Sequence, residues 1–262
     1  MKDVPAKAPV PMSEPHEDTL ETIWLLEREH GSARVRDIAK ARGVKAATVS
    51  IALGKLSSAK LVNYARRESV SLTARGERAA RRVFSRHRLL ARLFGDVLGM
   101  PPGAAGKQAC TLEHALTGDA MDRVARLLEL VEACPSVAES LAACPLAPRP
   151  GDARSRRRLP PACRRCPETA GSGAESVADL KRGQDAVVAS IRATAARRRR
   201  LLDLGLLPGS AIVVERSGSR ARALRVVCQG APLSLRQADA ACVLVRRGGA
   251  SGAPEGRLSW TR

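Results

Sequence analysis

Along the first half of the chain apolar residues recur at spacings of three and four, whereas in the last third they fall in short runs between glycines and arginines. The first pattern is that of amphipathic helices and the second that of strands. Leu20, Ile23 and Trp24, with Leu26 widening the stripe, predict a helix over 17–30 that Gly31 stops. Residues 35–42 predict a short helix, Gly43-Val44 a turn, and 45–60 a second helix with Val49, Leu53 and Leu56 facing inward. Residues 61–65 and 70–72 then read as two strands, with Arg66-Arg67-Glu68-Ser69 at the tip between them. Two helices across a tight turn followed by a hairpin form a winged helix-turn-helix pattern. Two positions fit it poorly. Gly54 sits mid-helix at a cost of about 1 kcal/mol, and Lys60 stands where glycine would more comfortably end the helix.

Thr73 is placed to cap a long helix over 74–98, with Val83, His87, Leu90 and Phe94 on one side and Gly99 and Pro101-Pro102 ending it. A helix through Cys110 to about 116 follows. Another covers 119–134, where Met121, Val124, Leu127, Leu128 and Val131 are apolar. Apolar surface on three successive helices predicts a homodimer interface. Residues 135–176 are Pro-rich, then basic, then Gly/Ser-rich, and read as a linker. Short strands at 187–188, 211–214, 223–227 and 242–245 predict a small barrel over 177–247. Within it the run Arg197 to Arg200 reads as a solvated face. The segments 1–16 and 248–262 are expected to be disordered tails. The fold class is therefore mainly α with a small β domain: a winged helix-turn-helix over 17–76, a helical domain over 77–134 and a C-terminal barrel.

Aromatic residues make up only 2% of the chain, so its cores must be aliphatic. A formal charge of +19 points to a polyanionic partner, nucleic acid before membrane surface. The helix-turn-helix and wing favour double-stranded DNA. Arg36, Lys45, Thr48 and Ser50, with Arg66 and Arg67 at the wing tip, are the candidate contacts to bases and phosphates. No stretch approaches the roughly 20 apolar residues of a membrane span, and the N-terminus lacks the apolar run of a secretory signal. A cytoplasmic location is expected. There, seven cysteines are thiols or metal ligands rather than a disulfide framework.

If 109–116 is helical, Cys110, Glu113 and His114 stand at i, i+3 and i+4 on one face. A thiolate, a carboxylate and an imidazole are ligand types that a transition metal accepts together. Asp18 and Glu21 at i, i+3 on the first helix, and His87 on the long one, are further candidates. Each alone has an ordinary reading: a buried cysteine packs as a small hydrophobe, and acids in a first turn complement the helix dipole. In the linker region Cys134, Cys144, Cys163 and Cys166 end in a C-x-x-C. That spacing suits a structural zinc, although a degenerate linker gives the same picture.

Three motifs carry a family resemblance: Asp18-x-x-Glu21, Ser85-Arg86-His87-Arg88-Leu89-Leu90 and Cys110-x-x-Glu113-His114. Residues 17–134 resemble the iron- and manganese-dependent regulators of the diphtheria toxin repressor and manganese transport regulator family. The run Arg200-Leu201-Leu202-Asp203-Leu204-Gly205-Leu206-Leu207-Pro208-Gly209-Ser210 resembles the signature of the FeoA-type, SH3-like domain often fused to them. The resemblance implies that Asp18, Glu21, His87, Cys110, Glu113 and His114 form the primary metal site. It also implies that the helical domain dimerises. Asp18 and Glu21 match the manganese branch and Cys110 the iron branch, so Fe(II) and Mn(II) both stay open. Gly106 and Ala91 stand at two positions where the iron branch has side-chain ligands for an ancillary site, so that site is not expected in the same form. The function implied is a metal-responsive repressor of metal-uptake genes acting at a palindromic operator. Without metal, the like charges of Asp18, Glu21 and Glu113 would repel one another. The alternatives are a thiol-redox or zinc-sensing regulator using the linker cysteines, and a metal-dependent enzyme. No nucleophile elbow, phosphate loop or dinucleotide motif supports the enzyme.

Overall fold

A computed structural model describes residues 12–65, 69–133, 175–216 and 223–247. The chain divides into two compact units, one ending at Val83 and the other beginning at Phe84.

In the first unit α1 (Glu14–His30), α2 (Val35–Arg42) and α3 (Ala46–Ser58) precede a two-stranded antiparallel sheet of β1 (Val62–Asn63) and β2 (Ser71–Leu72). Helix α1 begins three residues before the expected start, because Pro15 occupies a first-turn position where a missing N–H costs nothing. Gly31 and Gly43 end α1 and α2 in the left-handed conformation. Lys60 adopts the same backbone at φ 58°, the strain its sequence position implied. Leu20, Ile23, Ile38 and Leu53 are fully buried and form the centre of the unit.

The far end of α1 holds the wing. Glu27 Oε1 accepts a hydrogen bond from the Leu72 amide at 2.9 Å, and burial raises its carboxyl above the usual range. A raised acid favours the folded chain most below its unfolded value and loses that advantage as pH climbs through the folded one. Two variants separate charge from hydrogen bond. Glu27→Gln keeps the acceptor oxygen and is expected to flatten this part of the pH dependence of urea unfolding. Glu27→Ala strands the amide and should cost about 1 kcal/mol.

The division between the units falls within α4 (Ala74–Arg92). Thr73 caps this helix through the Gly76 amide at 3.1 Å. The regular helix is shorter than the pattern predicts, because a π-helical turn, Leu93–Val97, follows it. Its signature is the i to i+5 bond from the Leu98 amide to the Leu93 carbonyl. Next come α5 (Pro102–Leu112) and α6 (Gly118–Ala133).

A six-stranded antiparallel sheet completes the second unit. Its strands are β3 (Glu175–Ser176), β4 (Asp185–Ile191), β5 (Ala211–Arg216), β6 (Ala223–Cys228), β7 (Ala231–Arg236) and β8 (Val243–Arg246), in the spatial order β3-β8-β4-β5-β6-β7. Register shifts between β4 and β8 and between β5 and β6 add the local twist that bulges impose. Helix α7 (Ala195–Asp203) and a single turn α8 (Gln237–Ala240) connect the strands. Helices and sheet share one core, in which Leu89, Leu90, Met121 and Leu128 belong to the same cluster as Val188, Leu201, Leu206 and Ile212.

The run 197–200 is not simply a solvated face. Arg198 is 2% exposed. Its guanidinium donates to the Asp122 carboxylate and, at 2.7 Å, to the Ile191 carbonyl, and it lies 2.9 Å from Glu129. The helical period turns Arg198 inward toward acids on α6, while Arg197 and Arg200 reach Asp239. Among the described residues no helix is long and apolar enough to cross a membrane.

Candidate metal centre and nucleic-acid interface

Of the candidate ligands in the second unit, two converge on a third, a buried carboxylate. Glu113 is 1% exposed. Its Oε2 lies 2.9 Å from His87 Nδ1 and its Oε1 3.2 Å from His114 Nε2. His87 comes from the last turns of α4, and Glu113 caps α5. The helix stops at Leu112, short of the expected 116, so His114 lies in the following turn rather than on a helical face. Glu113 keeps helical torsions at φ −60° and ψ −30°, which preserves its i+3 relation to the half-buried Cys110.

Arg86 fixes this turn. Its Nη1 donates to the carbonyls of Glu113 at 3.0 Å and Leu116 at 3.3 Å, two groups that a helix C-terminus leaves without intrahelical partners. The motif that flagged His87 thus also contains the residue that supports Glu113. The sequence gives no sign of that second role.

A divalent ion bound here would draw on the same ring nitrogens and carboxylate. Two imidazoles, a carboxylate and a nearby thiol suit a borderline first-row metal.

In the first unit Asp18 and Glu21 lie on the same side of α1, and Glu21 is 4% exposed. Asp18 is not a bare negative charge. Arg42 Nη2 donates to its Oδ2 at 2.9 Å. The expected repulsion among acids is therefore moderated at this position.

The candidate DNA contacts divide three ways. Arg36, Lys45 and Thr48 are exposed, with Lys45 at the N-cap of α3. Ser50 donates back to the Ala46 carbonyl at 3.0 Å, so its hydroxyl proton is committed within the helix. Arg66 and Arg67 lie outside the described residues, as do Cys134, Cys144, Cys163 and Cys166 of the candidate zinc site, residues 1–11 of the first tail and the whole of the second, whereas residues 14–16, expected in the first tail, belong to α1. The structure adds Ile51, 65% exposed on the outer face of α3. An apolar residue out of phase with Val49, Leu53 and Leu56 was the available signal.

Residues 12–70 match the family described as iron dependent repressor, N-terminal DNA binding domain. Residues 73–141 match the iron dependent repressor metal binding and dimerisation domain, and 176–247 the FeoA domain. The HTH-type transcriptional regulator MntR of Lysinibacillus sphaericus is 32% identical over 127 residues, 48% of this chain and 91% of the relative. MntR of Shouchella clausii is 35% identical over 113 residues, 43% and 78% of the two chains. The crystal structure of T. acidophilum IdeR aligns over 87% of this chain and 96% of its own at 23% identity, with a TM-score of 0.39, too low to bear on the argument. With a winged helix ahead of a buried His-Glu-His cluster and relatives at this level of identity, the chain belongs to the family of iron- and manganese-dependent, DNA-binding transcriptional repressors.

Proposed function

We propose that the protein is an Fe(II)- or Mn(II)-responsive repressor of metal-uptake genes. In this reading it acts in the cytoplasm, has no enzymatic activity, and binds a palindromic operator as a homodimer. The observation that carries it is Glu113, a carboxylate buried between His87 and His114 in the unit that follows a winged helix. Cys110 completes the set on this side, and Asp18 and Glu21 join it on the family resemblance. When bound, a divalent cation supplies the positive charge that this donor set calls for. His87 and His114 would hold it through ring nitrogens and Glu113 through a carboxylate oxygen, while Arg86 holds the turn on which Glu113 and His114 sit. The exposed α3 residues Lys45 and Thr48 meet phosphates and base edges, and Ile51 is suited to a thymine methyl. Leu127 and Leu130, exposed on α6, supply apolar area for pairing with a second copy.

Metal and DNA affinities coupled through one protein must be coupled reciprocally, typically by about 5- to 150-fold. An operator duplex obtained by in-vitro selection is therefore expected to bind tighter by that factor with Mn(II) or anaerobic Fe(II) than with chelator. The variant Glu113→Ala should lose this response while keeping its salt-dependent, non-specific affinity, which comes from Lys and Arg. Titrations identical with and without chelator would end the proposal. Equal loss of both affinities in the variant would instead mean that it unfolds.

A further inference from the structure

Arg42 is the last residue of α2, where a cation ordinarily complements the helix dipole from solvent. Here its side chain is only 11% exposed, against 18% for its partner Asp18. Both arms of the fork are used on adjacent residues of α1. Nη2 donates to Asp18 Oδ2 at 2.9 Å, and Nη1 donates to Thr19 Oγ1 at 2.7 Å. The Thr19 hydroxyl is itself anchored, donating to the Pro15 carbonyl at 2.7 Å. A planar guanidinium held at two points has little freedom to turn, so it presents Asp18 with a donor in a fixed direction. One carboxylate oxygen is thereby engaged and the orientation of the other is set.

We propose that Arg42 is a positioning residue for metal binding, orienting the Asp18 carboxylate as a ligand and tying it to the helix that leads into α3. The inference rests on the reading of Asp18 as a ligand. Two features favour orientation over competition. The Thr19 contact holds the guanidinium independently of the charge on Asp18, so the arginine need not leave when that carboxylate is shared. Hydrogen bonds to the outer oxygen of a ligating carboxylate also carry weight of their own, their loss costing about 10- to 100-fold in metal affinity. Arg42 stands directly before Gly43, whose left-handed backbone at φ 63° turns the chain toward α3, so a displacement of Asp18 is passed to the start of the recognition helix.

The test is a double-mutant cycle on the full chain, with Mn(II) affinity read by competition against a fluorescent chelator. Arg42→Met is expected to weaken Mn(II) binding about 10- to 100-fold, with the metal-free unfolding midpoint recorded alongside. Arg42→Lys keeps the charge without the fork and should recover only part of the loss. In an Asp18→Ala background, Arg42→Met should change affinity by less than about 2-fold, since the group it acts through is gone. Unchanged or tighter binding in Arg42→Met overturns the inference, the tighter result marking Arg42 as a competitor. An equal loss in both backgrounds also overturns it, by showing that Arg42 serves the fold alone. If Asp18→Ala itself leaves Mn(II) affinity untouched, the reading of Asp18 as a ligand falls, and the role of Arg42 with it.

Discussion

Replacing Arg198 by methionine is expected to cost about 3–5 kcal/mol, the range for removing one partner of a buried ion pair. The side chain is inaccessible, and its loss leaves Asp122 and Glu129 on α6 without their shared counter-ion and the Ile191 carbonyl without a donor. Arg126 still reaches Asp122 at 3.0 Å, from a more exposed position. The pH dependence has a definite sign. Burial already raises Glu129 above the usual carboxylate range, with Arg198 pulling against it. Without the arginine its folded value rises further, so the deficit is full when Glu129 is ionised and shrinks as pH falls toward its protonation. Urea unfolding at about pH 7 and about pH 4.5 measures both quantities. A triple variant with Asp122→Leu and Glu129→Met should recover most of the loss, since an apolar replacement of a buried charged cluster is often neutral or better. A loss below about 1 kcal/mol at neutral pH would show the cluster to be wet and loosely held.

Gly76→Ala has the second large expected effect, and it runs against helix propensity. In an open helix interior this change stabilises by about 1 kcal/mol. At position 76 the added Cβ would stand 1.8 Å from the Leu61 carbonyl oxygen and 2.8 Å from its carbon. Both are backbone atoms, so no rotamer relieves the overlap. The same oxygen accepts from the Thr73 amide at 3.0 Å and from the Thr73 hydroxyl at 3.1 Å, and moving it breaks the join between the wing and α4. A cost of about 3 kcal/mol is expected, the upper end for overpacking. It should be accompanied by faster hydrogen exchange over 61–73 and weaker operator binding. An unchanged or raised unfolding midpoint would refute the close approach.

How much of this was legible in the residues depends on the range over which each feature is determined. Helices α2 and α3 follow from Val49, Leu53 and Leu56 and from glycine punctuation, all local signals. The awkward Lys60 was visible because the motif demands a left-handed residue whatever the side chain. Strand β7 was missed because Pro232 argues against a strand. It is tolerated because β7 is at the edge of the sheet, a property of topology rather than of the segment. At the candidate metal site, Glu113 and His114 were singled out by helical spacing and His87 by the motif that carries the family resemblance. The early end of α5 was not, because the turn after Leu112 is held by Arg86 from another helix. Arg42 and Arg198 escaped for the same reason. A charged residue at a helix end or within a basic run looks solvated until its distant partner is known.

The aliphatic cluster in which α4 and α6 meet the sheet has a bearing on how such a chain can change over generations. Domains strung on a linker can be shed by a premature stop codon, but here that loss would leave Leu90, Met121 and Leu128 facing water. The C-terminal barrel is thus not a detachable passenger. A lineage that discards it must first rewrite the side of α6 on which it rests.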